Sequence, residues 1–243
     1  MTRTDLSEDG AVLVAALTAP RRGLDAVADR RRLLTAVLAA TLASLLVALV
    51  TVPRIDFARD ALAGMGPEAA AMTPHQLEEA ELQAAKLGAI SGYAGAGFGP
   101  ILAVLGTGLA LWLAFKVAGT RPGLKATLAV SAHALLPLAV AKLLTLPAVL
   151  LKSPLAASEV PRLLPSSLAA LLPPGASPVA QAAASSLDLF TLWALVLLTL
   201  GMAKVAGASR LRAGVVVAVL FCAQVAFFKL APAAAMAGGK GGA

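Results

Sequence analysis

The sequence predicts an all-α integral membrane protein with five transmembrane helices. Of its 243 residues, 59% are hydrophobic and only 14% are charged, whereas a soluble domain carries about 25% charged residues. Aromatic residues make up only 4% of the chain, and the apolar residues form long blocks without the alternation of β-barrel strands. The chain therefore requires a lipid environment, and its apolar blocks are helices.

Five blocks have the length of a membrane span, since about 20 helical residues cross a hydrocarbon core of about 30 Å. We predict spans one to five at about 33–52, 98–118, 126–150, 187–207 and 213–231. Span one follows Arg30-Arg31-Arg32 and stops at Pro53-Arg54. Its apolar stretch exceeds the roughly 7–15 residues of a signal peptide, so we interpret span one as a retained anchor.

The distribution of positive charge predicts the orientation. With the N-terminus inside, the inner segments carry twelve Lys and Arg residues and the outer segments seven, and cytoplasmic loops carry the excess of positive charge. We therefore predict a cytoplasmic N-terminus and a periplasmic C-terminus. The lack of Asn and the abundance of Ala, Gly and Arg indicate a GC-rich coding sequence, hence a bacterial inner membrane. The net charge of +7 favours anionic lipid headgroups as partners rather than nucleic acid.

The segments between the spans differ in character. The basic N-terminal segment, 1–32, suits either a helix on the inner membrane surface or an ordinary positive flank. Thr73 as N-cap, Pro74 at the first helical position and Gln76 predict a helix start, so we expect an extended outer helix that continues into span two. A proline-rich outer loop at 152–186 separates spans three and four, and its short apolar runs predict interfacial helices and a partner surface. A Gly/Ala-rich, flexible tail follows at 232–243.

Four glycines predict close helix packing. The segment 93–99 superficially resembles a phosphate-binding loop, but it lacks the Lys-Ser/Thr pair and a preceding strand, which excludes nucleotide binding. Gly88 and Gly92 are four residues apart, as are Gly95 and Gly99. This spacing allows helix backbones to approach closely in a membrane.

Five polar side chains lie at membrane depth: His133 and Lys142 in span three, Asp188 at the outer end of span four, and Gln224 and Lys229 in span five. Such groups are costly in lipid and face the bundle interior or reach the interface. Asp188 and Lys142 both lie toward the outer leaflet and can pair. We favour a structural polar cluster over a proton or ion relay, because no second carboxylate lies deep in any span.

The chain contains no recognisable enzymatic motif. Glu78-Glu79 lacks the arginine of the prenyl-protein protease motif, and no nucleophile elbow precedes Ser131 and His133. One Cys and two His exclude a disulfide framework and do not support a transition-metal site. We therefore predict no catalysis, no cofactor and no metal.

Several stretches resemble the Yip family of membrane proteins: Leu17-Thr18-Ala19-Pro20, the run from Lys125 to Pro137, and Leu187 to Trp193 with Gly201-Met202 and the basic turn at 210–212. The resemblance covers about residues 15–231. It implies a five-span, non-enzymatic protein of the family's bacterial branch. Eukaryotic members interact with small trafficking GTPases and with one another, and bacterial members resemble accessory subunits, some beside ABC-type exporters.

Two functional hypotheses follow. The first is an assembly or regulatory accessory subunit whose partners are membrane lipids and another membrane complex, such as an ABC-type exporter, or a second copy of the chain. The alternative is a small permease in which the polar groups of spans three to five line a path. The odd span number and the lack of two matching broken helices argue against an inverted-repeat transporter. An intramembrane enzyme is disfavoured by the missing motifs.

Overall fold

The computed structural model describes Val14 and residues 30–152, 154–156, 159–160, 163–173 and 176–234. Its α-helices are α1 (Arg30–Thr51), α2 (Phe57–Met65), α3 (Pro67–Ala70), α4 (Pro74–Val117), α5 (Leu124–Ala134), α6 (Leu136–Leu144), α7 (Leu146–Leu151), α8 (Pro178–Ser186), α9 (Leu189–Val205) and α10 (Arg210–Val225). A π-helix, Ala226–Leu230, continues α10, and 3-10 helices occupy Val52–Arg54 and Leu168–Leu171. Within this part of the chain, strand-like pairing is limited to two isolated bridges. The all-α prediction is confirmed.

Four helical stretches of the described residues are long and apolar enough to cross a membrane: Leu33–Arg54, Pro74–Val117, Leu124–Leu151 and Arg210–Ala234. They correspond to predicted spans one, two, three and five. The helix at predicted span four, α9, has only 17 residues, because Asp188 caps its start and Gly207, with a φ of 61°, follows its end. The structure thus supports a multi-pass membrane protein with four candidate spans, and the fifth crossing stays a prediction.

Two predictions concern the chain ends. The predicted surface helix within 1–32 lies outside the described residues, apart from Val14 and the start of α1. At the other end, residues 231–234 are helical, and the rest of the predicted tail also lies outside the described part.

The faces of α1 show the pattern of a helix in lipid. Its leucines form an outward stripe with more than half of each residue exposed: Leu34, Leu38, Leu42, Leu46 and Leu49. Ala36, Ser44 and Ala48 are buried instead. Large apolar side chains facing outward and small ones at helix contacts are typical of membrane proteins, because lipid provides no hydrophobic drive for burying leucine.

The start of α4 follows from a reciprocal cap. The N–H of Gln76 donates to Thr73 Oγ1 at 3.3 Å, and the N–H of Thr73 donates to Gln76 Oε1 at 2.9 Å, which is the capping-box arrangement. From Pro74 the helix continues through Pro100 for 44 residues. At about 1.5 Å per residue, α4 is about twice as long as a hydrocarbon core is thick. The sequence-predicted helix start and its continuation into span two are both present.

Predicted span three is divided into α5, α6 and α7. The breaks fall at Leu135 and Thr145, each two residues before a proline. A proline has no N–H to donate and its ring crowds the carbonyl four residues earlier. Pro137 and Pro147 therefore interrupt the helical ladder while the chain continues along one apolar stretch, Leu124–Leu151.

The residues cluster into two compact units. The first draws on 1–40, 102–139 and 165–243, and the second on 41–101 and 140–164. The first unit has a core built from α4, α5, α9 and α10: Leu111, Phe115, Val130, Ala134, Leu197, Leu198, Met202, Ala213 and Val217. The second unit has a smaller core of Ala48, Val52 and Ala96.

Within the second unit, the proline-rich loop begins with a buried anchor. The N–H of Asp56 donates to the carbonyl of Leu155 at 2.9 Å, and the N–H of Leu155 donates to the carbonyl of Arg54 at 2.8 Å. The Leu155 side chain is fully buried. This bridge attaches the start of the loop to the segment that follows α1.

Within the first unit, a second bridge attaches the later part of the loop. The N–H of Leu168 donates to the carbonyl of Leu187, and the N–H of Leu189 donates to the carbonyl of Ser166, both at 3.1 Å. The short apolar run here forms the 3-10 helix Leu168–Leu171, and α8 begins at Pro178 with Ser177 as its cap. Backbone pairing thus orders parts of a loop whose sequence predicts only short helices.

Candidate functional site

Asp188 is the N-cap of α9. Its Oδ1 accepts the N–H groups of Phe190 and Thr191 at 2.9 and 3.0 Å, and its Oδ2 accepts the Thr191 hydroxyl. The first N–H groups of a helix have no partner within the helix, and a carboxylate there also interacts favourably with the helix dipole. The arrangement holds the carboxylate in a structural role at the start of α9.

His133 lies fully buried in the core of the first unit, with 1% of its surface exposed. Its Nδ1 lies 2.9 Å from the carbonyl oxygen of Ala129. Because a carbonyl only accepts, we assign the donated proton to Nδ1. Thr127 and Ser131 direct their hydroxyls to backbone carbonyls four residues earlier in the same way. The polar side chains of α5 therefore return hydrogen bonds to their own helix.

Lys142 donates from Nζ to Ser44 Oγ at 3.1 Å, a contact between α6 and α1 within the second unit. Ser44 is 4% exposed, whereas Lys142 as a residue is exposed. The ammonium group thus reaches back to a hydroxyl rather than standing alone in lipid. The predicted pairing of Lys142 with Asp188 stays a prediction.

Gln224 borders a groove in the first unit between α4, α9 and α10. The groove has a volume of about 680 Å³ and is mostly apolar, with Leu102, Leu195 and Phe228 among its lining residues. Gln224 is exposed, and its carboxamide makes no hydrogen bond within the described part of the chain. A hydrogen bond between helices in a membrane contributes roughly 0.6–2 kcal/mol to their association. This carboxamide is therefore available to bond a helix of another molecule.

The four predicted packing glycines have different surroundings. A Cβ at Gly92 would lie 2.8 Å from Val52 Cγ2, and one at Gly88 would overlap the Phe57 ring. A Cβ at Gly95 or Gly99 would meet no atom within 4 Å among the described residues. Gly88 and Gly92 therefore permit close contacts within the second unit, and packing at Gly95 and Gly99 stays a prediction that requires another molecule.

The tightest backbone approach falls on Gly108, which sequence spacing does not single out. A Cβ there would lie 2.5 Å from Leu128 Cδ2 and 3.3 Å from Leu128 Cα. Gly108 is buried where α4 crosses α5 in the first unit. Small residues four positions apart would have signalled this contact in the sequence. The residues four positions before and after Gly108 are Val104 and Trp112, which are not small.

Two basic side chains, Lys116 of α4 and Arg212 of α10, make structural contacts at the end of α4. Thr120 donates through its hydroxyl to the Phe115 carbonyl at 2.7 Å, and Arg212 donates through Nη2 to the Ala118 carbonyl. Lys116 lies over the Trp112 ring, 3.9 Å from its centroid. These contacts satisfy the last carbonyls of α4 and place cations at a helix C-terminus, which the helix dipole favours.

One ion pair lies beyond the end of α7. Lys152 Nζ is 2.8 Å from Glu159 Oε1. The hydrogen bond from Lys152, with help from the Ala156 N–H, holds the pKa of Glu159 below its ordinary value. Both side chains are about half exposed, so the pair contributes little to stability.

The polar side chains of the described residues make structural hydrogen bonds and do not form a group arranged for catalysis. Among them, no group of three His, Cys, Asp or Glu side chains could hold a metal ion. The fold and its polar groups define a multi-pass, all-helical membrane protein.

The chain belongs to the Yip1 domain family, since the pattern of that domain matches residues 14–231. This is a membrane-trafficking family whose members are not known as enzymes. No curated protein and no solved structure shows significant similarity to the chain.

Proposed function

We propose that this protein is a five-span protein of the bacterial inner membrane that acts without catalysis, as an assembly or regulatory subunit of an envelope complex such as an ABC-type exporter. In this proposal the N-terminus is cytoplasmic, the C-terminus is periplasmic, and α9 crosses the membrane. Family membership over residues 14–231 supports a role in membranes.

One observation carries the proposal. The carboxylate of Asp188 accepts two backbone N–H groups of α9. A proton carrier must be free to exchange its proton along a path, whereas donors from the first turn of α9 occupy both carboxylate oxygens of Asp188. Capping holds Asp188 in its helix instead, which favours a scaffold over the permease alternative.

Two experiments test the proposal. The full chain, tagged and purified in mild detergent, should co-purify reproducibly with subunits of one envelope complex identified by mass spectrometry, and an equally tagged multi-pass protein of another family serves as the control. In proteoliposomes the purified chain should produce no pH-driven flux. Flux that Asp188→Asn abolishes at unchanged stability would favour the permease.

Reporter fusions test the topology. A phosphatase that is active only in the periplasm should be active when fused after Ala243 and silent when inserted at Pro122-Gly123. If α9 does not cross, the C-terminus lies on the same side as the N-terminus, and the fusion after Ala243 is silent. That outcome would leave four spans and refute the proposed orientation of the C-terminus.

A further inference from the structure

The groove beside Gln224 continues a packing surface of α10. Ala213 and Val217 on α10 are buried in the core of the first unit. Gln224 follows Val217 by seven residues, so the two side chains share one helix face. Toward the end of α10 this face borders the groove. Phe227 and Phe228 project beside it, 72% and 70% exposed.

The depth of Gln224 limits what can satisfy its carboxamide. The candidate span Arg210–Ala234 has 25 residues, and Gln224 lies two residues beyond its midpoint, or about 3 Å. The ester and phosphate groups of lipids lie about half a hydrocarbon thickness away, roughly 15 Å. An acyl chain in the groove would therefore leave the carboxamide without a hydrogen-bond partner. The occupant must carry a polar group at mid-membrane.

We propose that the occupant is a second copy of this chain, related by a two-fold axis near Gln224. A carboxamide contains both a donor and an acceptor, so two Gln224 side chains facing each other across the axis satisfy both groups in each copy. Two-fold interfaces are self-complementary in this way. The inference deepens the proposed function by naming a partner, and it rests on the membrane placement of α10.

The shape of the groove suits a helix from the second copy. Beside Leu102 and Leu111, its α4 wall contains four small residues, Ala103, Gly106, Thr107 and Ala110, and small residues allow helices to approach closely in lipid. A Cβ at Gly106 would meet no atom within 4 Å, so this wall has room for a neighbour. The exposed rings of Phe227 and Phe228 supply the large side chains that such a wall accommodates.

Disulfide cross-linking in the membranes of the expressing cell tests the proposal. The chain has one cysteine, Cys222, which is exposed and lies about 160° around α10 from Gln224. Phe228→Cys in a Cys222→Ser background places a thiol one turn from Gln224 and keeps the carboxamide. With a mild oxidant, this variant should form a dimer at least about tenfold faster than the native chain, because docking holds its two thiols close.

Two further variants identify the contact. In the Phe228→Cys background, Gln224→Leu and Gly106→Phe should each reduce cross-linking to the rate of native Cys222. Gln224→Leu removes the paired carboxamide, and Gly106→Phe fills the groove. Leu105→Phe, which introduces the same residue at a neighbouring position that does not line the groove, should leave the rate unchanged.

Several results would overturn the inference. These are equal cross-linking rates for Phe228→Cys and native Cys222, a cross-linked product that contains a different protein, or full cross-linking in the Gly106→Phe variant. The proposed function fails separately, through loss of the co-purified envelope complex. A dimer without that complex would retain the inference and reject the accessory role.

Discussion

Replacing Gly108 with alanine should destabilise the protein, although alanine is the better helix former. At an open helical position, Gly→Ala stabilises by about 0.5–1 kcal/mol. At Gly108 the added Cβ would lie 2.5 Å from Leu128 Cδ2 and 3.3 Å from Leu128 Cα. Rotation of the Leu128 side chain relieves only part of the first contact, and the second involves backbone, which cannot rotate away. Overpacking of this kind costs about 1–3 kcal/mol.

Gly95→Ala is the matched control on the same helix, because a Cβ there meets no atom within 4 Å. The helix-propensity gain is common to both variants, so the free energy of unfolding of Gly108→Ala should be lower than that of Gly95→Ala by about 1–3 kcal/mol. Titration with SDS in mixed micelles, followed by circular dichroism, measures this difference. Adding Leu128→Ala should recover part of the loss, because it removes the side-chain contact and leaves the backbone one. Equal stabilities of the two alanine variants would refute the close approach of α4 and α5.

Three further outcomes are expected. Asp188→Ala should lower the free energy of unfolding by about 0.5–2 kcal/mol, and Asp188→Asn should have little effect because Asn caps as well as Asp; equal losses would reject the capping role. The pKa of Glu159 is lowered, chiefly by the Lys152 hydrogen bond. The stabilising contribution of ionised Glu159 is therefore present above the ordinary carboxyl pKa of 4.5 and disappears as the pH falls through the lower folded value. The difference in free energy of unfolding between the native chain and Glu159→Gln should shrink with acidification, and a difference that grows would contradict this. Gly92→Leu should lower thermal stability in detergent, whereas Gly95→Leu should reduce only partner recovery, and unchanged recovery would reject packing at Gly95.

Local signals account for the parts of the fold that could be predicted. The helix start at Pro74 depends on Thr73 and Gln76, which lie within one turn, and the structure shows the reciprocal bonds. Hydropathy over about 20 residues similarly locates the four long apolar stretches. Such features depend only on neighbouring residues and on the solvent. The length of α9 was overestimated because hydropathy does not register the cap at Asp188 or the left-handed Gly207.

The candidate site was less predictable because it depends on distant residues. Gly92 and Gly95 carry the same sequence signal of four-residue spacing, yet only Gly92 has a neighbour, Val52, within the described chain. The contact of Gly108 with Leu128 has no spacing signal at all. Charge alone predicts a carboxylate as the partner of Lys142. Its ammonium group instead donates to Ser44, 98 residues away along the chain.

The sequence by itself therefore determined the class of protein, its helical character and the place where α4 begins. Hydropathy, caps and prolines act over a few residues, so they can be predicted before any tertiary contact is known. Only the tertiary structure decided that Gly108 permits backbones to touch, that Lys142 bonds to Ser44 and that Gln224 borders a groove. The physical reason is that lipid supplies no hydrophobic pattern to distinguish contact faces, so helix pairing depends on shape and hydrogen bonds between residues far apart in the chain.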